Sequence, residues 1–144
     1  MITDALLLFS DSQAITAATA STSYVDLGAV RNPGVGANLY VQVSIDVAFT
    51  DSGSDSTLTV ALQGDSTAGS FTPDGTQQLF IIPALAAAGN KYYARISPDF
   101  ASAYRYLQLY YTPNNGNLTT GSVTASIVDG IQAEQVYAKN YTIS

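Results

Sequence analysis

The chain has 144 residues, 11 of them acidic and 5 basic, and contains neither histidine nor cysteine. Without those two residue types, Ser-His-Asp and Cys-His nucleophiles, zinc hydrolase sites and disulfide frameworks are excluded. A formal net charge of −6, with the bases scattered at Arg31, Lys91, Arg95, Arg105 and Lys139, argues against a nucleic-acid partner.

From the N-terminus, Met1-Ile-Thr-Asp4 and the apolar run at 5–9 are too acidic and too short for a signal peptide. No stretch approaches the roughly 18 apolar residues of a membrane helix. The expectation is a soluble chain made in a cytoplasm, with no membrane partner. A strand is predicted over 6–9 and another over 24–27. The alanine-rich stretch 13–20 is weakened as a helix by Thr16 and Thr19, with Ser21 just beyond. Gly28-Ala-Val-Arg-Asn-Pro-Gly-Val-Gly36 lacks the Gly-Lys-Ser/Thr ending of a phosphate loop and no helix follows it, so Pro33-Gly34 reads as a tight turn.

Strict alternation then begins. Val41, Val43, Ile45, Val47 and Phe49 share one predicted strand face, and Leu58, Val60 and Leu62 share another. Between them stands Asp51-Ser-Gly-Ser-Asp55, a spacing of oxygens that invites a calcium reading. Glycine occupies a ligand position, however, and Leu62 stands where a bidentate glutamate is required. The stretch therefore reads as the loop of an antiparallel hairpin.

Pro83-Ala-Leu-Ala-Ala-Ala-Gly89 has proline near its start and glycine past its end, which predicts one or two helical turns. Further strands are predicted over 77–82, 92–96, 103–111, 122–128 and 135–141, separated by Gly, Pro and Asn turn signals. Many short strands so punctuated describe one all-β domain over 1–144, a sandwich, barrel or jelly roll.

No motif anchors a catalytic carboxylate pair, since Glu134 is the single glutamate and Asp46 the one mid-strand aspartate. No enzyme activity, metal or cofactor is expected. The tyrosines are the positive signal. Tyr104, Tyr106 and Tyr110 fall on one predicted strand face through Gln108, opposite Arg105, Leu107, Leu109 and Tyr111. With Tyr92, Tyr93, Tyr137 and Tyr141 they form the candidate interface set, because tyrosine joins apolar area to a hydroxyl that tolerates water.

The opening "MITDALLLFSDSQAIT", the central "VSIDVAFTDSGSDSTLTVAL" and the ending "VYAKNYTIS" resemble the small cement, or decoration, proteins of short-tailed bacteriophage capsids. The resemblance covers nearly the whole chain and carries no catalytic residues. It implies a jelly-roll sandwich on the outer surface of an icosahedral shell, cementing adjacent major capsid protein subunits against internal DNA pressure. The expected partners are that capsid protein and other copies of the chain, as a dimer or trimer. Extended arms at 1–10 and 135–144 are expected to assist by adding strands to a neighbour's sheet edge. The competing expectation is a carbohydrate- or receptor-binding β-sandwich, for which the same tyrosines would stack on sugars. That reading favours an aromatic cleft, often with tryptophan, and this chain has none.

Overall fold

A strand with one apolar face must bury it against a second layer, and this chain builds two. The computed structural model describes residues 8–26, 39–66, 75–97 and 104–129. Its strands are β1 (Leu8–Ala14), β2 (Thr19–Ala20), β3 (Val25–Asp26), β4 (Leu39–Thr50), β5 (Thr57–Asp65), β6 (Gly75–Ile82), β7 (Lys91–Arg95), β8 (Tyr106–Asn114) and β9 (Thr120–Asp129). One sheet has four strands in the order β1-β9-β4-β7 and the other has five, β2-β8-β5-β6 with β3 also on β8. The antiparallel partners nest: β1 with β9, β2 and β3 with β8, β4 with β7, β5 with β6. This is one long hairpin rolled into two sheets, an antiparallel jelly-roll sandwich. Phe9, Val41, Ile45, Leu58, Leu109 and Val123 are among the fully buried side chains between the sheets.

The predicted hairpin at 51–55 is corrected. β4 and β5 lie in different sheets and do not pair with each other, so the loop carries the chain across the sandwich. Two strands that each have one apolar face can bury both faces against each other only by facing across a core. Pairing side by side would have left that core half built.

Val47 is corrected too. The β4–β9 register slips between Ile45 and Val47 and again between Val47 and Thr50. Such bulges insert an extra residue and re-aim its side chain, which leaves Val47 at 49% exposure while Phe49 is buried.

The helical turns predicted over 83–89 do not form. Leu85 and Gly89 have φ of 57° and 93°, and the segment's backbone bonds go to the edge of β4 instead. Phe49 N–H donates to Ala86 O at 2.9 Å, Gly89 N–H to Ile45 O at 2.8 Å, and Ile45 N–H to Asn90 O at 2.9 Å. Those bonds take the Gly89 N–H and the Ala86 and Asn90 carbonyls out of helical pairing, and Asn90 N–H turns to Ala87 O at 3.3 Å.

Polar ties join the layers. The buried Tyr111 hydroxyl of β8 lies 2.7 Å from Ser10 Oγ of β1, and Ser10 donates onward to Gln13 Oε1 at 2.7 Å. Burial pushes the Tyr111 hydroxyl well above its ordinary value of 10.0 despite that bond. At the other edge Gln77 of β6 donates to Arg95 O and accepts from Ser97 N–H, both at 3.3 Å. The strand predicted over 135–141 lies outside the described residues, and of the arm expected over 1–10, Leu8, Phe9 and Ser10 belong to β1.

Candidate interaction face

The pleat of the five-stranded sheet sends alternate side chains outward, away from the core. Thr59, Ala61 and Gln63 of β5 pair with Thr112, Tyr110 and Gln108 of β8 on that outer side. Tyr110 stands between two alanines, Ala61 and Ala20, so its ring rises above small neighbours. The polar groups around it are held in place. Gln108 Nε2 donates to Gln63 Oε1 at 2.6 Å, and Asn114 Nδ2 donates to Thr59 Oγ1 at 2.8 Å and Thr57 Oγ1 at 3.2 Å. Charge on this face is confined to the end at Asp26, Asp65 and Arg105.

That end is an organised aromatic corner. Tyr24 meets Tyr106 edge to face, with ring centroids 5.7 Å apart and planes at 76°. The Arg105 guanidinium sits 5.0 Å above the Tyr106 ring and grips both carboxylate oxygens of Asp26, at 2.8 and 3.2 Å. Aromatic pairs and cation–π contacts of this kind fix side chains before any partner arrives. Tyr106 is 8% exposed and Tyr24 48%. The outward ring is Tyr24, and Tyr106 supports it.

The predicted tyrosine set disperses accordingly. Tyr104 precedes β8 and leaves the row: its ring packs against the core and lies over Gly64 and Gly75, where a Cβ would fall 2.4 and 2.3 Å from it. Tyr92 faces the core side of the four-stranded sheet against Phe80, with centroids 6.1 Å apart. Tyr93 pairs with Gln42 on that sheet's outer side. Its hydroxyl and Gln42 Oε1 are buried with no hydrogen-bond partner among the described residues, and burial pushes the Tyr93 hydroxyl up. Tyr137 and Tyr141 lie outside the described residues. Only Tyr106 and Tyr110 share the predicted face.

The Asp51 loop is held by its own backbone. Asp51 Oδ2 accepts from Gly53 N–H at 3.1 Å and Asp55 N–H at 3.3 Å, and Oδ1 accepts from Ser56 N–H at 3.3 Å. Desolvation alone would raise this carboxyl, but those N–H donors and the Ser56 hydroxyl outweigh it and hold it below its ordinary value of 3.8. A lowered folded-state pKa means the loop's contribution is complete above the unfolded value and is lost as pH falls through the folded one. Asp51→Ala should therefore lower the melting temperature at neutral pH more than Asp55→Ala, with the gap narrowing as pH falls below 3.8, the carboxyl's ordinary value. EDTA should leave the melt unchanged, and a calcium-dependent rise of several degrees would overturn the turn reading.

The profile of the Bbp16 family matches residues 9–127, which runs from β1 into β9. The chain belongs to the Bbp16 family. No curated protein matches this Bbp16 chain. A chain in the structure of infectious bursal disease virus, Gx strain, shares its fold with a TM-score of 0.50 at 13% identity, over 84% of this chain and 30% of that one. The Bbp16 chain thus spans under a third of that viral chain, and the likeness speaks for fold alone. Within the Bbp16 chain, sequence reasoning missed Tyr24 and the 51%-exposed Ile81 as outward groups. The alternation around Val25 offered a signal for Tyr24. None existed for Ile81, because a bulge between Val60 and Ala61 shifts the β6 register.

Proposed function

We propose that this Bbp16 protein is a structural component of a phage virion. It binds the outside of an assembled icosahedral shell, cements neighbouring capsid protein subunits, and catalyses no reaction. The observation that carries the reading is the outer face of the five-stranded sheet, where Tyr24, Tyr110 and Arg105 stand among hydrogen-bonded Gln, Thr and Asn side chains. Rigid tyrosine and arginine with little surrounding charge is the chemistry of an interface core. A body with a net charge of −6 suits a position outside the shell, away from packaged DNA. The fold it shares with a chain of a virus structure and its resemblance to phage cement proteins support the same reading.

The mechanism is mass action. A ligand that binds only the assembled lattice stabilises it by its binding free energy, and many copies at fixed spacing add avidity to weak contacts. The test is co-sedimentation with expanded shells assembled without this protein. The protein should pellet with shells and bind free capsid subunits weakly. If it stays in the supernatant at saturating concentration the reading fails, and a glycan array decides whether the same tyrosines recognise sugars.

A further inference from the structure

The chain contains a single Asn-Gly pair, Asn115-Gly116. The fold sets it in the loop 115–119, which carries the chain from β8 in the five-stranded sheet to β9 in the four-stranded one. The 51–56 loop makes the opposite crossing, from β4 to β5. The two crossings are strapped together. Thr119 N–H donates to Thr50 O at 2.6 Å, Asn115 Nδ2 donates to Asp55 O at 3.3 Å, and Ser56 Oγ donates to Asn115 O at 3.3 Å.

Asparagine before glycine cyclises readily, because glycine puts no side chain beside the peptide nitrogen that must attack. Asn115 and Gly116 are both exposed, with φ of 67° and 114°. A Cβ built on Gly116 would meet Ser56 Oγ at 3.6 Å and nothing else within reach, so space for ring closure is open. No backbone acceptor among the described residues takes the Gly116 N–H. The two bonds that oppose rotation of Asn115 are both 3.3 Å, long for hydrogen bonds. They sit at a loop tip, where local opening costs least.

We infer that Asn115 is a site of spontaneous deamidation in the folded protein, and that the reaction unties the strap between the crossings. The Gly116 nitrogen attacks Asn115 Cγ and forms a C–N bond. The Cγ–Nδ2 bond breaks, and Nδ2 leaves as ammonia with the proton that Gly116 nitrogen gives up, which leaves a succinimide ring. Water then opens the ring at Cγ to give aspartate, or at the main-chain carbonyl to give isoaspartate. No oxidant, metal or cofactor enters. Either product replaces the Nδ2 donor by a carboxylate oxygen, and that oxygen and the Asp55 carbonyl are both acceptors. A new carboxylate also joins Asp51 and Asp55 at the crossing, where like charges repel. Isoaspartate further lengthens the main chain by a methylene.

Peptide mapping of folded protein held at mildly alkaline pH tests this. Aspartate and isoaspartate should accumulate at 115 while Asn114 and Asn117 stay intact, since the side chains of Asn115 and Leu118 shield the nitrogens that follow them. Asn115→Gln should block the conversion. Ser56→Ala removes one opposing bond and should speed it roughly two- to tenfold, the contribution of one hydrogen bond. Asn115→Asp reports the consequence directly and should melt about 2–4 °C below wild type. If Asn115 survives in folded protein over a period in which urea-unfolded protein converts, the fold shields the pair and the site is wrong. If Asn115→Asp melts with wild type, the strap does not depend on Nδ2 and that half of the inference falls.

Discussion

Ile82→Ala should destabilise the protein by about 2–5 kcal/mol, whereas Ile81→Ala, one residue earlier, should stay within about 0.5 kcal/mol. The two side chains are identical and adjacent, so propensity and composition cannot separate them. What separates them is the pleat: Ile82 is fully buried, while Ile81 is 51% exposed. Ile82 pairs with Leu58 across β5–β6, and Ile81 with Thr59 on the outer side. Removing three carbons from Ile82 leaves a cavity that close-packed neighbours fill only in part. At about 2–4 °C per kcal/mol for a chain of this size, the melting temperature should fall by roughly 5–20 °C. Leu58→Ala should behave like Ile82→Ala, in one cooperative transition. Equal effects at 81 and 82 would mean the β6 register is wrong.

That pair also marks where the sequence stops being legible. Period-2 alternation made Leu58, Val60 and Leu62 a core face, and the structure buries all three. The same rule misplaced Val47, because a bulge costs no recognisable residue and yet re-aims the side chain it carries, while Phe49 beyond it keeps the predicted face. Turn chemistry was read correctly at Asp51, but which strands the turn connects was not, since a hairpin and a crossing between sheets ask for the same Asp, Ser and Gly. At 83–89 the proline and glycine described a short helix that would be reasonable in isolation. The open edge of β4 decided otherwise, and an edge is a property of the assembled sheet. The tyrosine row failed at Tyr104 for a related reason: β8 starts two residues later, and Gly64 and Gly75 leave a bed for its ring. Tyr106 kept its predicted face but is covered by Tyr24 and Arg105. Local pattern gave the strands, and partner strands gave the site.

The exposed ring of the aromatic corner makes the sharper functional prediction, because it separates an anchor from its support. Tyr24 is 48% exposed, whereas Tyr106 beneath it is 8% exposed and is held by the Tyr24 edge and the Arg105 guanidinium. Truncating an aromatic anchor typically costs about 2 kcal/mol or more, near thirtyfold in affinity. Tyr24→Ala should therefore lower occupancy at limiting protein by about that factor, yet still allow binding when protein is in excess. Shell stability should follow occupancy, because a ligand stabilises the assembled state only to the extent that it binds it. At limiting protein the variant should forfeit most of the rise in rupture temperature that wild-type protein confers, and excess protein should restore it. The measurement pairs scanning fluorimetry of released DNA with quantified occupancy on the same shells. If Tyr24→Ala protein binds and protects shells as well as wild type at limiting concentration, the aromatic corner is not the contact and the outer face of the five-stranded sheet loses its claim.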